Sequence, residues 1–235
     1  LFATFFFFFF LSVPISFVLI LSTIAYILAM GGDVSWLLVP SRIVRGMDSF
    51  LLMCLPFFVL AGNLMNNGGI TERLIKLAQA FVGHIRGGLA MVDVMVCAFF
   101  GAVSGSAVAA TSAVGSVMIP SLQKEGYPAD FSAGLTAVAS TMAPVIPPSL
   151  AFVLYGAVSR VPIGDLFVAG IFPGILMAFA LMSVVYVYAK RDKYPRLPRT
   201  SWKDRLKAVK ESILCLILPI FILGGITTGI FTPTE

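Results

Sequence analysis

Charge is what this chain has least of. Only 11% of its 235 residues are Asp, Glu, Lys or Arg, against roughly 25% in a soluble globular domain. With 59% apolar residues and a mean hydropathy of +0.99, the scarcity excludes a water-solvated surface and implies an all-α integral membrane protein. Histidine is nearly absent too: His84 stands alone, with no ligand-like neighbour at helical spacing. Cys54, Cys97 and Cys215 are far apart in apolar runs and form no CxxC pair, so they read as small hydrophobes, not a disulfide or metal framework. No cofactor is called for. The net charge of +5 does not point to nucleic acid, because the Lys and Arg residues flank apolar runs as they do beside membranes.

What is present is a series of long apolar segments with informative interruptions. Residues 1–30 carry no charge, and lack the basic start of a cleaved signal peptide. As one helix they would measure about 45 Å, beyond the roughly 30 Å hydrocarbon core. Pro14 offers a turn, giving elements at about 1–12 and 14–30, with one tilted, kinked span as the alternative. Residues 34–49 mix Trp36, Arg42, Arg45 and Asp48 as an interface segment does, and 50–65 read as the next span. From 71 to 85, Leu74, Leu77, Ala78, Phe81 and Ile85 form one face and Glu72, Arg73, Lys76 and Gln79 the other, the pattern of an interfacial amphipathic helix. Residues 165–188 and 213–230 read as further spans. Between them, 190–210 reads as a loop holding nine Lys or Arg, which the positive-inside rule places in the cytoplasm.

The organising stretch runs from 94 to 160. It holds two uncharged segments, 94–123 and 131–159, each broken in the middle. The first carries Gly101-Ala102-Val103-Ser104-Gly105-Ser106. Two readings fit: close helix packing on the Gly101/Gly105 GxxxG register, or the tip of a re-entrant hairpin made of two half-depth helices. Lys and Arg placement does not decide between hairpin and span. The second carries Pro144-Val145-Ile146-Pro147-Pro148-Ser149. Each proline withholds an amide, so Pro147 frees the carbonyl of Ala143 and Pro148 that of Pro144. Orphan carbonyls inside a bilayer are costly unless something binds them; the alternative is a kink healed by water and neighbouring helices. No carboxylate lies within either segment. A proton relay would want one, so the pattern favours a cation, sodium, held by carbonyls and hydroxyls.

Taken together, Gly101–Ala109, Gly115-Ser116-Val117-Met118-Ile119-Pro120, Ile146-Pro147-Pro148-Ser149, Tyr155-Gly156 and Phe167-Val168-Ala169-Gly170-Ile171-Phe172-Pro173-Gly174 closely resemble the large membrane subunit of TRAP (tripartite ATP-independent periplasmic) transporters, the DctM family. Asn67-Gly68-Gly69-Ile70-Thr71 and Val13-Pro14-Ile15 fit as well. The resemblance implies two inverted repeats forming an elevator-type secondary transporter. This chain would be the first repeat, with one re-entrant helical hairpin and one proline-broken helix, ending at Glu235 about where the second repeat begins. By the same resemblance, Ser104, Ala143, Ile146 and Pro147 form a sodium site, largely through backbone carbonyls, and Ser106 and Ser149 face substrate. A second sodium site would lie beyond Glu235. Implied partners are a small four-helix membrane subunit and a periplasmic substrate-binding protein. Implied substrates are organic acids of the C4-dicarboxylate, keto acid or sialic acid type, and the implied location is the bacterial cytoplasmic (inner) membrane.

The expected organisation is scaffold helices over 1–70 and an amphipathic arm over 71–87. Transport-domain elements follow over 88–160, with the hairpin at about 90–120 and the broken helix at about 130–159. A transmembrane helix occupies 161–189, a cytoplasmic basic loop 190–211 and the start of the second repeat 212–235. Two other classes compete. A carbonyl-lined cation channel would need a repeated filter sequence, and none is present. An intramembrane serine protease using Ser104 or Ser106 needs a base within reach, and His84 sits in the interfacial segment.

Overall fold

The computed structural model describes residues 1–29, 31, 35, 37–47, 54–192, 194, 197–198 and 200–232. Every regular element among them is a helix. The chain divides into two compact units, Leu1–Phe50 and Leu51–Glu235. Trp36 and Asp48 of the expected interface segment lie outside the described residues, as does the beginning of the 50–65 span.

In the first unit, α1 (Phe2–Phe10) and α2 (Ile15–Ala29) are separate helices. Proline fixes its own φ and disfavours helix at the residue before it, and the adjoining Ser12 takes a φ of 57°. The chain therefore turns ahead of Pro14 and α2 packs against α1. A third helix, α3 (Leu38–Met47), presents exposed Arg42 and Arg45.

The second unit contains α4 (Cys54–Asn67), α5 (Ile70–Val82), α6 (Gly88–Ser104), α7 (Ala107–Lys124), α8 (Ala129–Ser140), α9 (Leu150–Ser159), α10 (Ile163–Arg191) and α11 (Trp202–Thr227). Its hub is α6, which packs against α4, α5, α7, α8, α10 and α11. A helix apolar on every side is buried on every side, and Val92, Val94, Val96, Cys97 and Phe100 of α6 are almost fully enclosed. Because α6 starts at Gly88, it begins six residues ahead of the uncharged segment seen in the sequence. Asp93 is therefore drawn into the protein interior, with no exposed surface.

Only Gly105 and Ser106 separate α6 from α7, which fold into a hairpin. The far ends of this hairpin lie together: a Cβ built on Gly87 would sit 3.8 Å from the Tyr127 hydroxyl. A short turn over 125–128 leads into α8, which runs parallel to α6. Asp93 meets Thr136, Cys97 meets Ser140, and Gly101 meets Ala143. The 131–159 segment forms two helices, α8 and α9, with 141–149 between them.

On α5, Leu74, Leu77 and Ala78 are buried against the unit as the stripe implies, together with Ile75 and Ala80. The buried face is wide because α5 lies between α6 and α11. Phe81 is the exception, 43% exposed in the last turn of the helix. The basic segment is not a loop throughout. From Trp202 onward it is the first turns of α11, where Lys207 and Glu211 pair at (i, i+4) spacing and the helix packs on α5, Ser212 Oγ donating to the Arg73 carbonyl at 3.0 Å. Among the described residues, α10 and α11 are long and apolar enough to cross a bilayer. Their exposed Phe172, Val187, Leu214 and Phe221 form the apolar exterior such a helix needs in lipid.

Candidate functional site

Two chain breaks meet in the second unit. The first is the hairpin tip. Gly105 takes a φ of 60°, the left-handed conformation that costs glycine nothing, and its amide donates to the Gly101 carbonyl at 2.8 Å. Ser106 then caps α7, its Oγ accepting from the Ala109 amide at 3.4 Å. Ser104 is buried, and its Oγ accepts the Ser106 amide at 3.4 Å.

The second break is 141–149. The two carbonyls expected to be freed by proline behave differently. Ser149 Oγ donates to the Pro144 carbonyl at 2.6 Å, so that oxygen is already satisfied. No hydrogen bond to the Ala143 carbonyl is found among the described residues. Ser149 also caps α9, accepting from the Phe152 amide at 3.4 Å, and is wholly buried. Both of its hydrogen-bonding roles are thus internal. That role was open to sequence reasoning, since serine directly before an apolar helical run is a preferred N-cap.

Glycine brings the two breaks together. A Cβ on Gly101 would lie 2.6 Å from the Cα of Ala143, and one on Gly105 would lie 2.9 Å from the Pro148 carbonyl oxygen. Gly101 thus serves close packing and Gly105 the turn between the two helices. Ser104 and Ser106 stand at the tip, Ala143 and Ser149 face it across these contacts, and Pro147 is buried in the same break. Ile146 points its side chain elsewhere, to α10, where a Cβ on Gly174 would meet its Cγ1 at 2.6 Å. Its backbone alone is left to serve a site. The neighbouring Gly170 of α10 lies against the Val145 carbonyl, 2.6 Å from a Cβ built there.

A cavity of about 240 Å³ opens beside the tip, lined by Gly62, Asn63, Ser104, Ser106, Ser112 and Leu150 among others. Asn63 and Ser112 were not singled out from the sequence, although an amide inside an apolar helix is a signal in its own right. The donors here are hydroxyls, an amide and backbone carbonyls, a hard-oxygen set suited to an alkali cation and unsuited to a thiophilic metal. Helix ends add direction. The carbonyl ends of α6 and α8 and the amide ends of α7 and α9 converge on the breaks. The former favour a cation and the latter a carboxylate. A larger cavity of about 580 Å³ lies between Gly156–Gly164 and Ile226–Thr232, but apart from Arg160 and Thr232 its lining is apolar and presents no convergent oxygen set.

Known proteins give this arrangement a context. Residues 2–235 match the family described as "Tripartite ATP-independent periplasmic transporter, DctM component". The large permease protein of a sialic acid TRAP transporter from Vibrio cholerae is 41% identical over 226 residues, covering 96% of this chain and 53% of the relative. The large permease protein of a C4-dicarboxylate TRAP transporter from Pseudomonas aeruginosa is 44% identical over 188 residues, 80% of this chain and 44% of the relative. That of a 2,3-diketo-L-gulonate TRAP transporter from Escherichia coli is 42% identical over 193 residues, 82% of this chain and 45% of the relative. The chain spans about half the length of these relatives. It belongs to the DctM family, the membrane permease components of tripartite ATP-independent periplasmic transporters, and is a transporter component, not an enzyme.

Proposed function

We propose that this chain forms the first-repeat half of the large membrane subunit of a sodium-coupled TRAP transporter, which imports an organic acid across the bacterial inner membrane by an elevator-type movement. A small four-helix membrane subunit and a periplasmic binding protein that delivers the substrate complete the assembly. The observation that carries this reading is the meeting of the α6–α7 tip with 141–149, backbone against backbone, beside an oxygen-lined cavity. In a membrane protein such irregular backbone persists where it is enclosed or lines a site.

In this reading the α6–α7 hairpin is re-entrant and the second repeat lies outside this chain. The cation is held where α6 and α8 end, by Ser104 Oγ and by carbonyls of Ala143, Ile146 and Pro147. The Ala143 carbonyl is the strongest of these ligands, because an alkali ion would satisfy an acceptor that has no hydrogen bond among the described residues. The three relatives' substrates are all organic acids by their names, so the shared recognition element is a carboxylate, and the amide end of α7 capped by Ser106 receives it. Ser149 contributes from behind, by holding the Pro144 carbonyl and the first turn of α9.

The test is uptake in proteoliposomes containing the complete transporter, with its binding protein supplied outside and an imposed sodium gradient. Pro147→Ala should raise the sodium concentration needed for half-maximal uptake, because a restored amide lets the chain close on the Ala143 carbonyl. Ser106→Ala should chiefly weaken substrate affinity. An unchanged sodium curve in Pro147→Ala, with uptake retained, would place the cation elsewhere.

A further inference from the structure

Asp93 is a carboxyl group that the site described above does not use. It has no exposed surface, and it lies where α6 and α8 run side by side. Its Oδ2 is 2.8 Å from Thr136 Oγ1, and Thr136 Oγ1 in turn lies 3.1 Å from the Ser132 carbonyl. Its Oδ1 is 4.0 Å from Cys97 Sγ, and Cys97 Sγ is 3.7 Å from Ser140 Oγ. Thr136, Ser140 and Ser132 are themselves fully enclosed. No cation lies among these partners, and among the described residues neither ion pair involves Asp93. The charged side chains of α5, α7, α8, α10 and α11 are exposed apart from half-buried Arg205, and α4 carries none.

Counting hydrogens favours the neutral form of this group. An ionised carboxylate here would be enclosed with one hydroxyl donor and one weak thiol donor, which does not replace its lost hydration. It would also claim the single Thr136 hydroxyl hydrogen, taking it from the Ser132 carbonyl. A neutral carboxylic acid uses every hydrogen once. Asp93 Oδ2–H donates to Thr136 Oγ1, Thr136 Oγ1–H donates to the Ser132 carbonyl, and the Cys97 thiol points at Oδ1.

We propose that Asp93 is a proton-binding site: its carboxyl holds a resident proton, and the neutral acid latches α6 to α8 in the register that carries Gly101 onto Ala143. The ligand is H⁺, and the site is built from α6 and α8 alone. It stands independently of the transport reading, and its test does not measure transport.

The test compares full-length Asp93→Asn, Asp93→Ala and wild-type protein, purified in detergent. Asparagine copies the neutral acid, with its amide donating to Thr136 Oγ1 and its carbonyl facing Cys97. The expected result is an infrared band of a protonated, hydrogen-bonded carboxyl in wild type at neutral pH. That band is lost in Asp93→Asn, whose thermal midpoint stays within about 2 °C of wild type, while Asp93→Ala falls by roughly 5 °C or more. Thr136→Val should shift the wild-type band by removing its acceptor. Absence of the band in folded wild type would overturn the proposal. So would an Asp93→Asn protein as unstable as Asp93→Ala, since the position would then need a charge.

Discussion

Replacing Gly101 by alanine puts a methyl group 2.6 Å from the Cα of Ala143 and 2.9 Å from its Cβ. Carbon atoms in ordinary contact sit about 3.5–4.0 Å apart, so α6 and the first residues of the break must separate by about 1 Å. The atom in the way is backbone, so no rotamer change relieves the clash. Overpacking of this kind costs roughly 1–3 kcal/mol, which for a protein of this size lowers the thermal midpoint by roughly 3–10 °C. In the proposed cation site, the same retreat parts the end of α6 from Ala143. If it removes only about 1.4 kcal/mol of ion binding, the sodium concentration for half-maximal uptake rises about tenfold. Gly134→Ala is the matched control on α8: nothing lies within 4 Å of its new methyl group, and the gain in helix propensity is about 1 kcal/mol. The assay is sodium-dependent uptake by the complete transporter at equal amounts of folded protein, alongside thermal unfolding in detergent. A Gly101→Ala protein with wild-type stability and an unchanged sodium curve would refute the reasoning. Equal damage from Gly134→Ala would do the same.

Arg86 and Lys124, both exposed, stand at the open end of the hairpin, which faces the cytoplasm in the proposed orientation. Single cysteines at the two positions, in a background without Cys54, Cys97 and Cys215, should label from the same side with impermeant reagents; opposite-side labelling would make the segment a simple span. Leu77 is 2% exposed, so Leu77→Asp should abolish recovery of folded protein in a size-exclusion assay, whereas Arg73→Gln, whose exposed side chain leaves the Arg73 carbonyl free to accept from Ser212, should be recovered at wild-type yield. Tyr127 lies in the turn between α7 and α8, stacked on Tyr194 at 4.2 Å, and burial pushes its phenol up to about 12 from an ordinary value of about 10. The folded protein therefore keeps that proton where the unfolded chain loses it, so this contribution is complete below about pH 10 and fades as pH climbs towards 12; in an ultraviolet titration, Tyr127→Phe should remove one late-ionising tyrosine.

The prolines and glycines were the most legible part of the chain, because they change backbone options whatever surrounds them. Pro14 marked the gap between α1 and α2, and Pro144, Pro147 and Pro148 marked the gap between α8 and α9. What misled was composition used as a boundary. An uncharged window beginning at residue 94 placed Asp93 outside the apolar segment, yet a helix ends by its hydrogen bonds and not by its polarity, and α6 runs back to Gly88. The basic segment reads as a loop for the same reason. Lys203, Arg205, Lys207 and Lys210 favour helix about as well as leucine does, and α11 begins among them. Ser149 shows a different limit: the family resemblance implies a hydroxyl facing substrate, whereas its hydrogen bond to Pro144 depends on a path of the chain through 144–149 that pattern alone does not specify.

The paired glycines of α10 have a mechanical consequence. Gly170 seats the Val145 carbonyl and Gly174 seats the side chain of Ile146, while Gly101 and Gly105 press on Ala143 and Pro148 from the opposite helices. The segment between α8 and α9 is approached by α6 with its turn and by α10 more closely than any side chain would allow. In the proposed elevator movement, the cheaper course is for α6, α7, this segment and the Gly170–Gly174 stretch of α10 to travel as a single block. The hinges then fall outside that block, and substitutions that loosen the grip should uncouple its parts before they unfold the protein.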